Sequence, residues 1–280
     1  MKFELLQRFD KKRSPEQLRK HFDTEKAIAA KLKTSSREER KVIYSTMYDE
    51  LLATVPDHPR LTRRKDRVTT ETRIRTQLAL IERFLADDTI FVEFAPGDCE
   101  LALHMCSRVK SVYAIDISDQ GRESLVDAPK NFKLIIYNGY DLDFEENIAD
   151  VVFSDQLIEH LHPDDTQLHF QLVYKILKEG GAYVFRTPHK FMGPCDISRY
   201  FSDKAEGFHL KEWTFMELAK VIKSVGFRSW FIYWKNNLIY EQPIFYLSIV
   251  EMVLKMFPRE SRKIATTVFL PGDISMVCIK

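Results

Sequence analysis

The side chains best placed to do chemistry are two carboxylates that each close an apolar, strand-like run: Glu93 in FVEFAPGDC and Asp116 in SVYAID. A carboxylate at the end of a buried strand is costly without a partner, so each asks for a cation or for hydroxyl donors. After Glu93 the chain breaks into Ala-Pro-Gly-Asp, at the place where a parallel sheet binds its ligand. A pyrophosphate-binding G-x-G-x-x-G turn would set its glycines at Ala95, Gly97 and Glu100. Close helix packing and the charge of the phosphate both exclude a carboxylate from that third position. The candidates for moving a proton are Asp155, His160, His162, His189 and His209, all near expected strand ends. Of these, His209 and His189 lie in or beside a long connection, and Asp155 directly follows a strand. These three are the preferred bases for a substrate hydroxyl.

Such groups need a scaffold to hold them. From Thr89 onward, short apolar runs alternate with helical segments, the pattern of βαβ units and a parallel sheet. TIFVEF, SVYAID, FKLIIY, ADVVFS and GAYVFRT read as strands; ELALHMCSRV, SDQGRESLV and DDTQLHFQLVYKILK read as helices, the last stopped by Gly180-Gly181. FRSWFIYW and ISMVCIK add two strands, and with no helix after the final one an antiparallel edge is expected. Thr214 with Glu217 makes a capping box for a helix that Gly226 ends. The expected fold is α/β: a Rossmann-like, doubly wound, seven-stranded sheet over residues 76–280, mostly parallel with an antiparallel last strand. Residues 1–75 read as a helical cap in which Tyr44, Met47, Tyr48 and Leu51 share one face, and residues 188–212 as an insertion.

Composition narrows the function. The 280 residues carry 42 basic and 41 acidic side chains, a net charge of +1, which argues against a protein that coats nucleic acid. The four cysteines, Cys99, Cys106, Cys195 and Cys278, form no CxxC pair, so neither a zinc site nor a disulfide framework is indicated, and no metal is expected. No run reaches the roughly 18 apolar residues of a membrane span, and the first residues lack a signal-peptide core. A cytoplasmic protein is expected.

Taken as E-x-G-x-G-x-G, the turn reads Glu93, Ala95, Gly97, Cys99, and with Asp116 downstream it resembles the class I S-adenosylmethionine-dependent methyltransferases. The resemblance runs from about Leu78 to Lys235 and includes the last strand. Alanine and cysteine replace the family's first and third glycines. It implies S-adenosyl-L-methionine as cofactor, with Glu93 anchoring the ammonium end and Phe94, Ala95 and Gly97 shaping the turn. Asp116 would accept from both ribose hydroxyls and Ile117 would flank the adenine. Asn138, beside Gly139, takes the position that contacts the adenine amino group; Asp155 and Gln156 would touch cofactor and acceptor. The sulfonium methyl is already activated, so the protein mainly aligns an acceptor lone pair and excludes water.

The insertion resembles the acceptor segment of methyltransferases for sugars and natural products, with Phe191, Tyr200, Phe201, Phe208 and Trp213 as candidate walls and Arg186 and Arg199 as candidate anion holders. A small-molecule acceptor, methylated on oxygen, is therefore expected. An RNA or protein acceptor and a non-catalytic binding protein on the same fold are the alternatives; the fourth strand ends in SDQL and lacks the NPPY-like motif of many base-modifying enzymes. PIFYLSIVEMVLKMF is too short to span a bilayer, so core packing with a homodimer interface is expected, and peripheral membrane docking is the second reading.

Overall fold

The computed structural model describes residues 13–63, 67–119, 125, 127–234 and 237–280. One eight-stranded sheet forms the centre, in the order β3-β2-β1-β4-β5-β8-β6-β7. Its strands are β1 Ile90–Phe94, β2 Ser111–Asp116, β3 Phe132–Ile136, β4 Ala149–Asp155, β5 Leu177–Pro188, β6 Ser229–Trp234, β7 Asn237–Glu241 and β8 Asp273–Ile279. Strands β1 to β5 pair in parallel, while β8 runs antiparallel between β5 and β6. All seven expected strands are present. The eighth, β7, folds back on the edge strand β6 as a hairpin; its five residues precede a proline and are too short a run to stand out from a loop.

Helices cover both faces, which is why the central strands are apolar throughout rather than alternating. On one face α6 (Pro163–Ile176) and α7 (Phe215–Val225) bury Phe170, Phe185, Phe215 and Trp230; on the other, α4 (Arg67–Ile81) and α5 (Glu100–Met105) bury Ile81, Phe91, Leu101 and Tyr233. The Thr214–Glu217 capping box and the left-handed Gly226 bound α7 as their spacing predicts. Gly180-Gly181 does not stop a helix. It sits inside the long start of β5, where Gly180 N–H and Gly181 C=O exchange hydrogen bonds with the backbone of Lys280. The helix expected in SDQGRESLV falls largely outside the described residues.

Two helices, α1 (Pro15–Thr34) and α2 (Arg37–Thr54), precede the sheet, each opened by a complete capping box, Ser14 with Gln17 and Ser36 with Glu39. Their shared face buries Tyr44, Met47 and Leu51 against Phe208 and Leu210 of the insertion. A buried ion pair fixes them to the sheet domain. Arg40 donates to both oxygens of Asp165 at 2.7 and 2.8 Å, and Tyr140 O–H donates to the same carboxylate at 2.6 Å. A short helix, α3 (Pro59–Arg63), leads on to α4.

At the other end, α8 (Ile244–Lys255) and α9 (Arg259–Phe269) bury Leu247 and Leu254, but Phe245 and Met256 are 81% exposed and Ile264 is 70% exposed. Core packing thus accounts for only one stripe of this apolar segment. Among the described residues no helix is long and apolar enough to cross a membrane.

Candidate active site

The turn after β1 explains why its template favours glycine. Ala95, Gly97 and Cys99, the alternate positions, all have left-handed backbone, at φ 52°, 63° and 59°. Alanine and cysteine hold that conformation at a cost of about 1–2 kcal/mol each. At Gly97 space matters as well: a Cβ would lie 3.2 Å from Nη2 of Arg60. The Arg60 guanidinium itself rests over the Tyr48 ring, 4.7 Å from its centroid.

Glu93 is buried beneath this turn, and Oε2 is buried with no hydrogen-bond partner among the described residues. Burial first, then the nearby Asp155 and Asp98, push its carboxyl up to about 8, against the pull of Arg73 and the Ala102 amide. Arg73 spends its charge on Asp98, at 2.8 Å. Asp116, also buried, accepts from its neighbours Ile117 N–H at 2.7 Å and Ser118 N–H at 3.3 Å. Burial raises its pKa despite Arg60.

A cavity of about 710 Å³ opens between this corner and the N-terminal helices. Ala95, Gly97, Asp116, Ile117, Gly139, Asp155 and Gln156 all line it, so the structure gathers these predicted residues at one end. Glu93 and Phe94 lie below the lining, Phe94 edge-on to His169 and Tyr137 in the core. Asn138 is not part of the cavity wall: its side-chain oxygen accepts from Tyr140 and Asp141 N–H at 2.9 and 2.8 Å, which commits it to its own turn.

The proton-transfer candidates separate clearly. His189 is fully buried outside the cavity lining, its Nδ1 accepting from Phe191 N–H and its ring packed on Phe191 and Phe215, so it is part of the core rather than a base. Asp155 lines the cavity but is gripped by Arg186 through two 2.7 Å bonds, with Gln77 donating to it at 2.9 Å. His162 caps α6. His209 is buried behind His160, the two rings 5.1 Å apart, and His160 lines the cavity.

The insertion and the cap build the opposite end from charged groups. Glu25 on α1 accepts from His21 at 2.7 Å and from Phe208 N–H at 3.1 Å, and Phe208 C=O in turn meets His160 Nδ1 at 3.0 Å. Gly207 is required there, since a Cβ would lie 2.5 Å from Glu25 Oε2. Burial and then the charge of His209 push His160 down to about 3, while burial pushes Glu159 up to about 7. Burial also opposes charge on His209, but the carboxylates of Glu212, Glu159 and Asp196 prevail and raise its pKa. Of the predicted aromatics, Tyr200 and Phe208 line the cavity, Phe191 and Trp213 belong to the core, and Phe201 stacks on Phe22. Arg199 lines the cavity while donating to the Cys195 and Asp196 carbonyls.

Sequence reasoning missed the contribution of His21, Glu25 and His58. The helical i, i+4 spacing of His21 and Glu25 was the one readable signal, since it puts both on one face of α1.

Residues 92–185 match the family model for a methyltransferase domain. A search of the curated proteins finds no match. Among solved structures, the chain is similar to an S-adenosylmethionine-dependent methyltransferase from Archaeoglobus fulgidus, with a TM-score of 0.52 at 16% identity over 75% of this chain and 94% of that one. It is also similar to the Burkholderia thailandensis 1,6-didemethyltoxoflavin-N1-methyltransferase, solved with bound 1,6-didemethyltoxoflavin and S-adenosylhomocysteine. There the TM-score is 0.54 at 13% identity, over 88% and 91%. A Haloferax volcanii chain solved with the Trm112 methyltransferase activator gives 0.50 at 13%, over 75% and 92%. The sheet order is that of the class I methyltransferase fold, and within it residues 92–185 match the methyltransferase-domain model.

Proposed function

We propose that this methyltransferase moves a methyl group to a hydroxyl oxygen of a small molecule bound in the cavity. One observation carries the reading: a single cavity joins the Gly97–Asp116 corner to a wall of His21, Glu25, His58 and His160 under α1 and α2. About 710 Å³ is the scale of a small-molecule site, and the helices cover the strand ends that an RNA or protein segment would have to reach. Residues 1–75 accordingly act as a lid, residues 76–280 as the transferase domain, and residues 188–212 as its acceptor wall.

The corner fits S-adenosyl-L-methionine, which supplies the activated methyl when bound. The buried Oε2 of Glu93 without a partner suits an ammonium group, Asp116 suits the ribose hydroxyls, and Gly97 leaves the space a Cβ would fill. Ile117 and Gly139 border the adenine side. With the cofactor bound, the polar wall of His21, Glu25, His58 and His160 would orient an acceptor hydroxyl toward the methyl group and carry its proton away. Alignment and exclusion of water supply the rate.

Calorimetry with S-adenosylhomocysteine tests the first half, with micromolar binding expected. Transfer of labelled methyl to a panel of hydroxylated small molecules, against bulk RNA and protein, tests the second. Label entering only RNA or protein would overturn the small-molecule reading.

A further inference from the structure

Behind His160 stands a constellation that methyl transfer leaves unused. Glu159, His160 and His209 each offer one ligand atom, and these atoms lie within 4.8 Å of one another. The other polar atom of each side chain is already engaged. His160 Nδ1 meets the Phe208 carbonyl at 3.0 Å, His209 Nδ1 meets Glu212 Oε1 at 3.0 Å, and Glu159 Oε2 accepts from the Thr187 hydroxyl at 2.8 Å. A carbonyl and a carboxylate only accept, so each ring, when neutral, carries its proton on Nδ1 and has its lone pair on Nε2. That is how metal-binding histidines are oriented by their outer partners. The third atom, Glu159 Oε1, is buried in a residue with no exposure and has no hydrogen-bond partner among the described residues. An ordinary ion pair would have filled it with an imidazole N–H.

The neighbouring set, His21, Glu25 and His58, differs in the decisive respect. Arg13 Nη1 donates to His21 Nδ1 at 2.9 Å, which forces the proton onto Nε2, and that proton goes to Glu25 at 2.7 Å. It is a hydrogen-bonded relay with no ligand lone pair at its centre.

We propose that Glu159, His160 and His209 bind one divalent first-row transition-metal ion at the acceptor end of the cavity. Two imidazoles and one carboxylate suit that class of ion, and three protein ligands leave a position open. Donors around a tetrahedral ion with bonds of about 2.0–2.1 Å lie roughly 3.4 Å apart, so the side chains close by about an ångström. An ion held by these three side chains would supply a positive charge behind His160 that eases loss of a proton from an acceptor hydroxyl, a purpose that rests on the methyl-transfer reading.

The test is a cobalt(II) titration of the full chain after dialysis against a chelator, followed by visible absorption, with S-adenosylhomocysteine calorimetry run separately on the same sample. Expected are one cobalt per chain with ligand-field bands, loss of both in Glu159→Gln and His209→Gln, and a roughly 10–100-fold weaker site in Glu212→Gln. His58→Gln should leave the titration unchanged. Absence of bands in a wild-type sample that still binds S-adenosylhomocysteine overturns the metal site alone; so does cobalt binding that survives Glu159→Gln or is lost in His58→Gln. Because the wild-type titration is itself decisive, a variant that fails to fold does not shelter the proposal.

Discussion

Replacing Glu93 with glutamine should stabilise the cofactor-free protein while weakening cofactor binding. The folded carboxyl titrates near 8 against an unfolded value of 4.5, raised by burial and by Asp155 and Asp98, with Arg73 and the Ala102 amide opposing. An acid whose folded pKa is raised contributes fully below the unfolded value; its contribution is lost as pH climbs to the folded value, at about 1.4 kcal/mol per unit. Between those limits, folding must add a proton to Glu93 or bury its charge. That penalty is about 1 kcal/mol at pH 5, about 3 at pH 7 and about 5 at pH 8.5. Glutamine has no proton to gain, so urea denaturation should show Glu93→Gln more stable than wild type by a margin that widens in that order. Binding carries the opposite sign. Pairing Glu93 with an ammonium at pH 7 ionises it, so calorimetry in buffers of different ionisation heat should register release of about one proton in wild type and none in Glu93→Gln. A variant equally or less stable at pH 8.5, or a pH-independent difference, would refute the view that Glu93 is a buried acid held for a cation.

Three further outcomes are expected. Arg40→Met leaves the Asp165 carboxylate buried without its bidentate partner and should cost about 3–5 kcal/mol in denaturant, with Asp165→Asn added to it restoring part of the loss. Asp116→Ala removes the acceptor for two ribose hydroxyls and should raise the S-adenosylhomocysteine Kd at least about tenfold by calorimetry. Gly97→Ala forces a side chain into φ 63° and toward Arg60, costing about 1–2 kcal/mol by thermal or urea unfolding, and should abolish S-adenosylhomocysteine binding.

The legibility of the chain followed the range of its interactions. Strands β1, β2, β4 and β8 stood out because they are buried on both faces of the sheet and so read as mostly apolar runs. The Thr214–Glu217 cap and Gly226 were readable because capping is local to one turn. Asp116 and the alternate small residues after Glu93 were readable for the same reason: a strand end and a tight turn fix their own geometry. What sequence misjudged depends on partners far along the chain. His189 sits beside the insertion in sequence but is packed against Phe215, and its Nε2 lies 3.5 Å from Glu251 Oε1, on α8. Asn138 occupied the right strand end, yet its oxygen serves two backbone donors within its own turn.

The acceptor end is the clearest case, because one residue of the insertion ties together two clusters that sequence keeps apart. Phe208 N–H donates to Glu25 of the cap and Phe208 C=O engages His160 after β4, while its ring packs edge-on to Tyr48. Its backbone therefore sets the orientation of both walls at once. Moving the cap would release Glu25 from Phe208 and free the carbonyl that holds His160. The placement of α1 and the orientation of the histidine wall are in this way linked through three hydrogen-bonded groups rather than through the sheet.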